Sequence, residues 1–332
     1  MEQETISDLI LRLKRDTNKV TINPLLDAIE LEKIKLFEAE SQTNADYRRK
    51  LNTISENLRK VDYIFTPKYQ RAFDAYNEIA VYELLKTRVD LKFMKEGDVS
   101  TPDFKITYDG IELYADLKTL HYVDGNLNYI DIQEQAAIQN IKLDKQKKEN
   151  KFVVISDGVS MSPFKKGNTE SHRNINVIIE RLIDKGTNLL KLSQVNYHDT
   201  SGIYILDTSQ IFIPNMLEMG LPVHEGVLYK ELNSGILWNA VFGKIGDPTY
   251  NWIEFEGLPN IGGRLQKNGL LVDTQFDALR AIAFIIGDNE DKKIVSFHRS
   301  VDEDKDVLSI LYKISDFVND ELNSQYWRLK NN

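Results

Sequence analysis

Between Thr101 and Leu120 the chain reads TPDFKITYDGIELYADLKTL. Two carboxylates and an ammonium, Asp103, Asp116 and Lys118, stand here at a spacing that a folded hairpin would gather at one place. Paired carboxylates hold hard divalent cations, and an adjacent ammonium suits the chemistry of phosphate esters. The turn sets the geometry. Asp109-Gly110 is a strong two-residue hairpin signal, because a type I′ turn needs positive φ at both central residues. Tyr108 then faces Ile111, paired numbers sum to 219, and the ladder continued outward sets Asp103 opposite Asp116. Strand periodicity puts Ile111, Leu113, Ala115 and Leu117 on one face and Glu112, Tyr114, Asp116 and Lys118 on the other. Two carboxylates facing one another at ~5 Å and an effective dielectric near ~20 repel by about 3 kcal/mol. A divalent cation between them reverses that sign, with magnesium or manganese suiting the oxygen donors. The plainer alternative is an exposed hairpin with solvated charges.

The elements around the hairpin must position these groups. Residues 1–62 read as helices, with Asn23-Pro24 as a start signal. Apolar residues at Tyr47, Leu51, Ile54, Leu58 and Val61 alternate in steps of four and three, the pattern of a bundle or coiled-coil seam. An intramolecular helical pair and a homodimer both satisfy it. A helix is expected from about Tyr69 to Lys86, carrying Glu78 beside Ala75, Val81 and Tyr82. A carboxylate on such a stripe is costly to bury unpaired; its alternative is a stripe-edge residue reaching solvent. After the hairpin come a polar link, His121 to Asn128, and a helix from about Ile130 to Lys148. Phe152–Ser156 reads as a buried strand, Ser160–Thr169 as a loop, Arg173–Leu192 as a helix and Gly202–Leu206 as a buried strand. Helices alternating with strands imply an α/β fold with a mixed sheet covered on both faces.

The last third is harder to read. Gly235–Phe242 is expected as a short helix, Asn260–Gly263 as a turn, Thr274–Ile286 as a helix closed by Gly287, Lys293–His298 as a strand and Val307–Trp327 as a helix. The organisation that follows is a helical region over 1–62, for bundling or dimerisation, a core over 63–215, and an extension over 216–332 that completes or is appended to the core.

Composition narrows the chemistry. With no cysteine in 332 residues, thiolate nucleophiles, thiolate metal sites and disulfides are excluded. The five histidines, His121, His172, His198, His224 and His298, lack the spacing of a zinc pair. No P-loop or Gly-rich dinucleotide fingerprint is present. No apolar run is long enough to span a bilayer, and no signal peptide is recognisable, so a cytoplasmic location without membrane association is expected. A net charge of −9 argues against a protein coated non-specifically in nucleic acid. It leaves room for a local basic groove, and Lys142–Lys151, KLDKQKKENK, is such a segment or else a solvated helix face. Tyr250, Trp252 and Phe255 read as an edge strand packing on the core rather than as a stacking platform for bases.

Glu78 on a helix, Pro102-Asp103, then Asp116-Leu117-Lys118 resemble the PD-(D/E)xK nuclease superfamily. The match covers about fifty residues directly. The D-x-K triplet recurs at Asp90-Leu91-Lys92 and Asp291-Lys292-Lys293, and Glu149-Asn150-Lys151 is its Glu form; one of eight prolines precedes aspartate, and it sits one hairpin from Asp116. The resemblance implies a restriction-endonuclease-like mixed central sheet flanked by helices. It implies metal-dependent phosphodiester hydrolysis with Glu78, Asp103, Asp116 and Lys118 as catalytic groups. Mg2+, replaceable by Mn2+, would be held by Asp103, Asp116, the Leu117 carbonyl and Glu78. On the next helix Gln139 and Lys142, with Gln135 and Gln146 close to their face, would touch the scissile phosphate. The implied partner is nucleic acid, double-stranded DNA first, in a bacterial restriction or anti-phage role. An RNA or tRNA nuclease, and a non-catalytic binding or scaffold protein on the same fold, are the alternatives.

Overall fold

The structure, a computed structural model, describes residues 4–17, 24–60, 67–95, 100–120, 129–149, 153, 175–200, 202–209, 235–250, 261–273, 276–277, 279–287, 292–299, 305–321 and 328–329. The chain divides into two compact units, Met1–Tyr82 with Val123–Lys166, and Glu83–Tyr122 with Gly167–Asn332.

The first unit is helical: α1 (Ile6–Thr17), α2 (Pro24–Asp27), α3 (Leu31–Glu40), α4 (Ala45–Leu58), most of α5 (Pro67–Lys86) and α6 (Tyr129–Lys148). The seam Tyr47, Leu51, Ile54 and Leu58 is buried inside this bundle, where the Tyr47 ring meets Phe37 and Tyr82 edge-on. Val61, its last expected member, lies outside the described residues. Helix ends are closed by side chains. Asn44 accepts from the Asp46 amide at 2.9 Å, and Glu38 accepts from the Ile6 amide at 2.7 Å and the Ser7 hydroxyl at 2.8 Å. These contacts satisfy amides that have no partner within their own helix, and the carboxylate also suits the positive end of the α1 dipole.

The second unit is built on a mixed eight-stranded sheet. Its strands are β1 (Asp90–Phe93), β2 (Phe104–Tyr108), β3 (Ile111–Thr119), β4 (Ile203–Asp207), β7 (Ala281–Ile286), β8 (Lys293–His298), β9 (Phe317–Asp320) and β10 (Arg328–Leu329), in the order β1-β2-β3-β4-β7-β8-β9-β10. β5 (Pro248–Tyr250) and β6 (Ile261–Arg264) form a separate antiparallel pair. β3 is antiparallel to β2 and parallel to β4, and β4 is parallel to β7. Helices flank both faces. Asp116, Tyr204, Ile282 and Phe297 follow one another across the register on one face. There the Tyr204 hydroxyl donates to the Gly186 carbonyl of α7 (Ile175–Leu189), and Phe242 of α9 (Ile236–Phe242) packs on Phe297. Ser296 points to the opposite face and meets Ser315, at the end of α10 (Lys305–Ile314), hydroxyl to hydroxyl. The α/β class, with a mixed sheet covered by helices on both faces, is therefore observed.

Three expectations in the last third are corrected. Thr274–Ile286 is not a helix: Ala281–Ile286 is β7, buried along its whole length. A central strand covered on both sides is apolar at every position and loses the alternation that would mark it. The helix expected over Val307–Trp327 ends at Ile314, and Phe317–Asp320 is strand β9. Within Asn260–Gly263, residues 261–263 belong to strand β6 rather than to a turn. The expected helix Arg173–Leu192 is α7 followed by a separate short helix, α8 (Leu192–Val195). The strand expected at Phe152–Ser156 and the loop at Ser160–Thr169 lie outside the described residues, apart from Val153, which is exposed in a bend.

The hairpin turn has φ 50° at Asp109 and 79° at Gly110, the double positive φ of type I′. No heavy atom lies within 4 Å of where a Gly110 Cβ would stand. Replacing Gly110 by alanine therefore introduces backbone strain without a clash. Gly110→Ala is expected to lower unfolding free energy by about 1–2 kcal/mol in urea titration.

Candidate metal and phosphate site on the hairpin

The register runs as the turn dictates from Tyr108↔Ile111 to Phe104↔Ala115. At Asp103 the chain bends instead of continuing the ladder. The Asp103 amide donates to the Ala115 carbonyl of β3 at 3.1 Å, while its carbonyl accepts from Met94, next to β1, at 2.9 Å. In a regular strand both groups of one residue point to the same edge. The Asp103 side chain takes over the next rung, accepting from the Leu117 amide through Oδ2 at 2.7 Å. The Leu117 carbonyl shares the edge of its amide, so it too points past the end of β2 toward the Asp103 carboxylate.

Asp116 is fully buried. Lys118 Nζ donates to its Oδ1 at 2.7 Å, and its Oδ2 is buried with no hydrogen-bond partner. Burial pushes the Asp116 carboxyl up, Lys118 offsets part of that, and the like charge of Asp103 adds to it; it reaches about 7. Tyr204, next to it in the register, has its phenol pushed up by burial and by the Asp116 charge. Asp207, the sheet's other fully buried carboxylate, has both oxygens engaged: Oδ1 by the Ser209 amide at 2.8 Å and Oδ2 by Lys292 at 3.5 Å. Asp116 differs: no donor from the protein reaches its Oδ2, and Asp103 stands close enough to share a carboxyl proton with it.

That donor set fits a hard cation that keeps much of its own water. Magnesium is commonly held by one or two carboxylates, with waters and phosphate oxygens completing the shell. Asp103, Asp116 and the Leu117 carbonyl are the oxygens that would supply the protein's share. Among the described residues no group of three or more His, Asp or Glu side chains is arranged to hold a metal.

Asp103, Asp116, Leu117 and Lys118 are thus brought together within the second unit. Glu78 lies on α5 in the first unit, where its carboxylate pairs with Lys50 of α4, itself a buried lysine. Gln135, Gln139, Lys142 and Gln146 lie on α6, also in the first unit. Lys142 is exposed, Gln139 and Gln146 are half-buried, and the Gln135 side chain is not described. Of the expected histidines, His198 and His298 are described. His298 is buried, with Nδ1 2.9 Å from the Arg299 carbonyl oxygen. His198 is exposed at φ 55°, and its ring meets Tyr197, which in turn meets Tyr114 of β3 at 4.9 Å between centroids.

The residue that sequence reading missed is Gln194 of α8. Its Oε1 accepts from Lys118 Nζ at 3.3 Å and its Nε2 donates to the Thr101 carbonyl at 2.6 Å. Its partners lie far away in the chain, so no local spacing announces it. Comparison of the chain with models of protein families, with curated proteins and with solved structures finds no match in any of the three.

The Asp116 environment makes stability depend on pH. The folded carboxyl keeps its proton up to about pH 7, whereas the ordinary value, near 3.8, governs the unfolded chain. Between these limits the folded state binds more protons, so stability falls as pH rises, by up to about 1.4 kcal/mol per unit from this group. Urea unfolding from pH 4 to 8 in the presence of a chelator should show this slope in the wild-type chain and its loss in Asp116→Asn.

Proposed function

We propose that the chain is a magnesium-dependent nuclease hydrolysing phosphodiester bonds, a DNA endonuclease of the bacterial restriction or anti-phage kind on a restriction-endonuclease-like fold. The observation that carries the reading is the open, buried oxygen of Asp116 beside Asp103, with Lys118 on the same strand face. A structural ion pair has no use for a second carboxylate next to the first, since each raises the energy of the other. A cation-binding pair does.

In this reading Asp103 and Asp116 hold the ion, and the Leu117 carbonyl adds a neutral oxygen on the edge where the β2 ladder stops. When bound, the ion supplies a water of lowered pKa and neutralises charge gathering on the phosphate. Lys118 orients the attacking water and donates to the phosphate oxygen on which negative charge develops, the interaction that a fixed ammonium in a partly buried site provides best. Glu78, paired with Lys50 within the helical unit, enters through the family resemblance alone. Gln139 and Lys142, flanked by Gln135 and Gln146, would meet the substrate backbone. The exposed Lys142, Lys145, Lys147 and Lys148 of α6 give that helix a cationic surface despite the net charge of −9. No described helix is long and apolar enough to cross a membrane.

The decisive assay incubates the purified chain with double-stranded DNA, single-stranded DNA and RNA, with magnesium or manganese. Cleavage of double-stranded DNA is expected. Asp116→Ala and Lys118→Ala should each reduce it by roughly 100-fold or more, the size typical of losing one preorganised electrostatic group. Activity surviving both substitutions sinks the assigned site, and cleavage confined to RNA moves the substrate class. Calorimetry adds a check without turnover. Manganese must displace the Asp116 proton, so its apparent affinity should rise as pH passes through about 7 and heats should report proton release. No manganese binding at pH 8 together with no cleavage would leave a nucleic-acid-binding or scaffold protein.

A further inference from the structure

We infer that Gln194 is the positioning residue for Lys118: its buried side-chain amide straps the lysine of β3 to the Thr101 carbonyl, two residues before Asp103. The catalytic consequence rests on the nuclease reading; the strap does not.

The orientation of the amide is dictated by its partners. The Thr101 carbonyl can only accept, so Nε2 must face it, at 2.6 Å. Oε1 is then left to face Lys118 Nζ, which can only donate, at 3.3 Å. Gln194 is 6% exposed, so water competes poorly for either bond. The short helix that carries it is held against β3 by the backbone. The Gly202 amide donates to the Val195 carbonyl at 2.7 Å as the chain turns into β4. A Cβ at Gly202 would stand 2.6 Å from that same oxygen and 3.0 Å from the Tyr114 carbonyl, so the close approach requires glycine. Gly202 thus lies close to both the Val195 carbonyl of α8 and the Tyr114 carbonyl of β3.

A neutral amide has a specific use here. Lysine is a point charge on a flexible four-carbon stem. Asp116 Oδ1 holds it while that carboxylate is free of other cations. A divalent ion on the Asp116 and Asp103 oxygens would draw off that charge and repel the ammonium. The Gln194 carbonyl oxygen keeps accepting, and it holds Nζ at the site without neutralising it. A glutamate in its place would hold the lysine by charge.

The test uses the full-length chain and two readouts. The first is the labelling rate of Lys118 by an amine-reactive ester, followed by peptide mass spectrometry. Gln194→Met should accelerate it about threefold or more, the size of one net hydrogen bond, with other lysines unchanged and the unfolding temperature recorded to show a folded protein. Gln194→Glu, which retains an acceptor, should label as slowly as the wild type. The second readout is cleavage. Gln194→Met should lower kcat by roughly 10- to 100-fold, as misplacement of a catalytic group does, leave KM and manganese affinity near the wild-type values, and be partly rescued in Gln194→Glu. A folded Gln194→Met with wild-type labelling overturns the strap, and wild-type kcat overturns its role in positioning. If Gln194→Met fails to fold, Gln194→Asn decides: its amide is one methylene too short to reach both partners, so labelling faster than wild type supports the strap and wild-type labelling overturns it. If the wild-type chain cleaves no nucleic acid, the nuclease reading falls while labelling still decides the strap.

Discussion

A carboxylate buried at the centre of a sheet must find positive charge or give up its own, and Asp116 is that group here. It sits on β3, which is antiparallel to β2 on one side and parallel to β4 on the other. Both of its neighbours along the strand, Ala115 and Leu117, are buried, and so is Tyr204 beside it. Taking a charge out of water costs several kcal/mol even after relaxation, and leaving it alone after removing its partner costs roughly 3–5 kcal/mol. Lys118, two residues along on the same face, is the intrinsic answer. It is half an answer, because one oxygen stays open and a second acid stands near. The arrangement relieves its own strain by holding a proton up to near neutral pH.

The fold creates this condition through coverage. β4 and β7 are buried at every position, and helices lie on both faces of the sheet. In such a sheet side chains lose water whichever way they point. A carboxylate on the rim would be solvated, with an ordinary pKa. Burial raises its energy, and that raises what a bound cation can recover. The same coverage explains Asp207, which saturates both oxygens with the Ser209 amide and Lys292 and has no such call on a cation.

Much of this was legible before any coordinates. The Asp109-Gly110 turn is local chemistry, and it fixed the pairing from Tyr108 to Phe104 because strand register has a period of two and no slack. The helices α5 and α6 and the strands β4 and β8 lie within a few residues of their expected bounds. Three things were not legible, each for a physical reason. AIAFII at Ala281–Ile286 has no polar partner face, so its periodicity is silent and only tertiary coverage distinguishes strand from helix. Gln194 acts across a gap of 76 residues, and nothing in its neighbours marks a glutamine that uses both ends of its amide. At Asp103 a side chain replaces a backbone rung: its carboxylate accepts from the Leu117 amide, and the next ladder residue, Pro102, has no N–H to offer the Leu117 carbonyl; pattern counting has no term for side chains that replace backbone.

That bend is also what gathers the oxygens of the proposed site. A ladder continued through Asp103 would set two carboxylates stiffly across from one another and bring Leu117 opposite Pro102, whose carbonyl could accept from the Leu117 amide but which has no N–H for the Leu117 carbonyl. Ending the ladder one residue early turns the Asp103 amide toward β3 and its carbonyl toward β1, frees its side chain to fold over the gap, and leaves the Leu117 carbonyl on an edge without a strand opposite. Regular structure delivers Asp116 and Lys118 to one face and holds them there; its interruption gathers the remaining oxygens. The proposed chemistry thus falls where local rules are broken by one residue, supported on either side by strands that obey them.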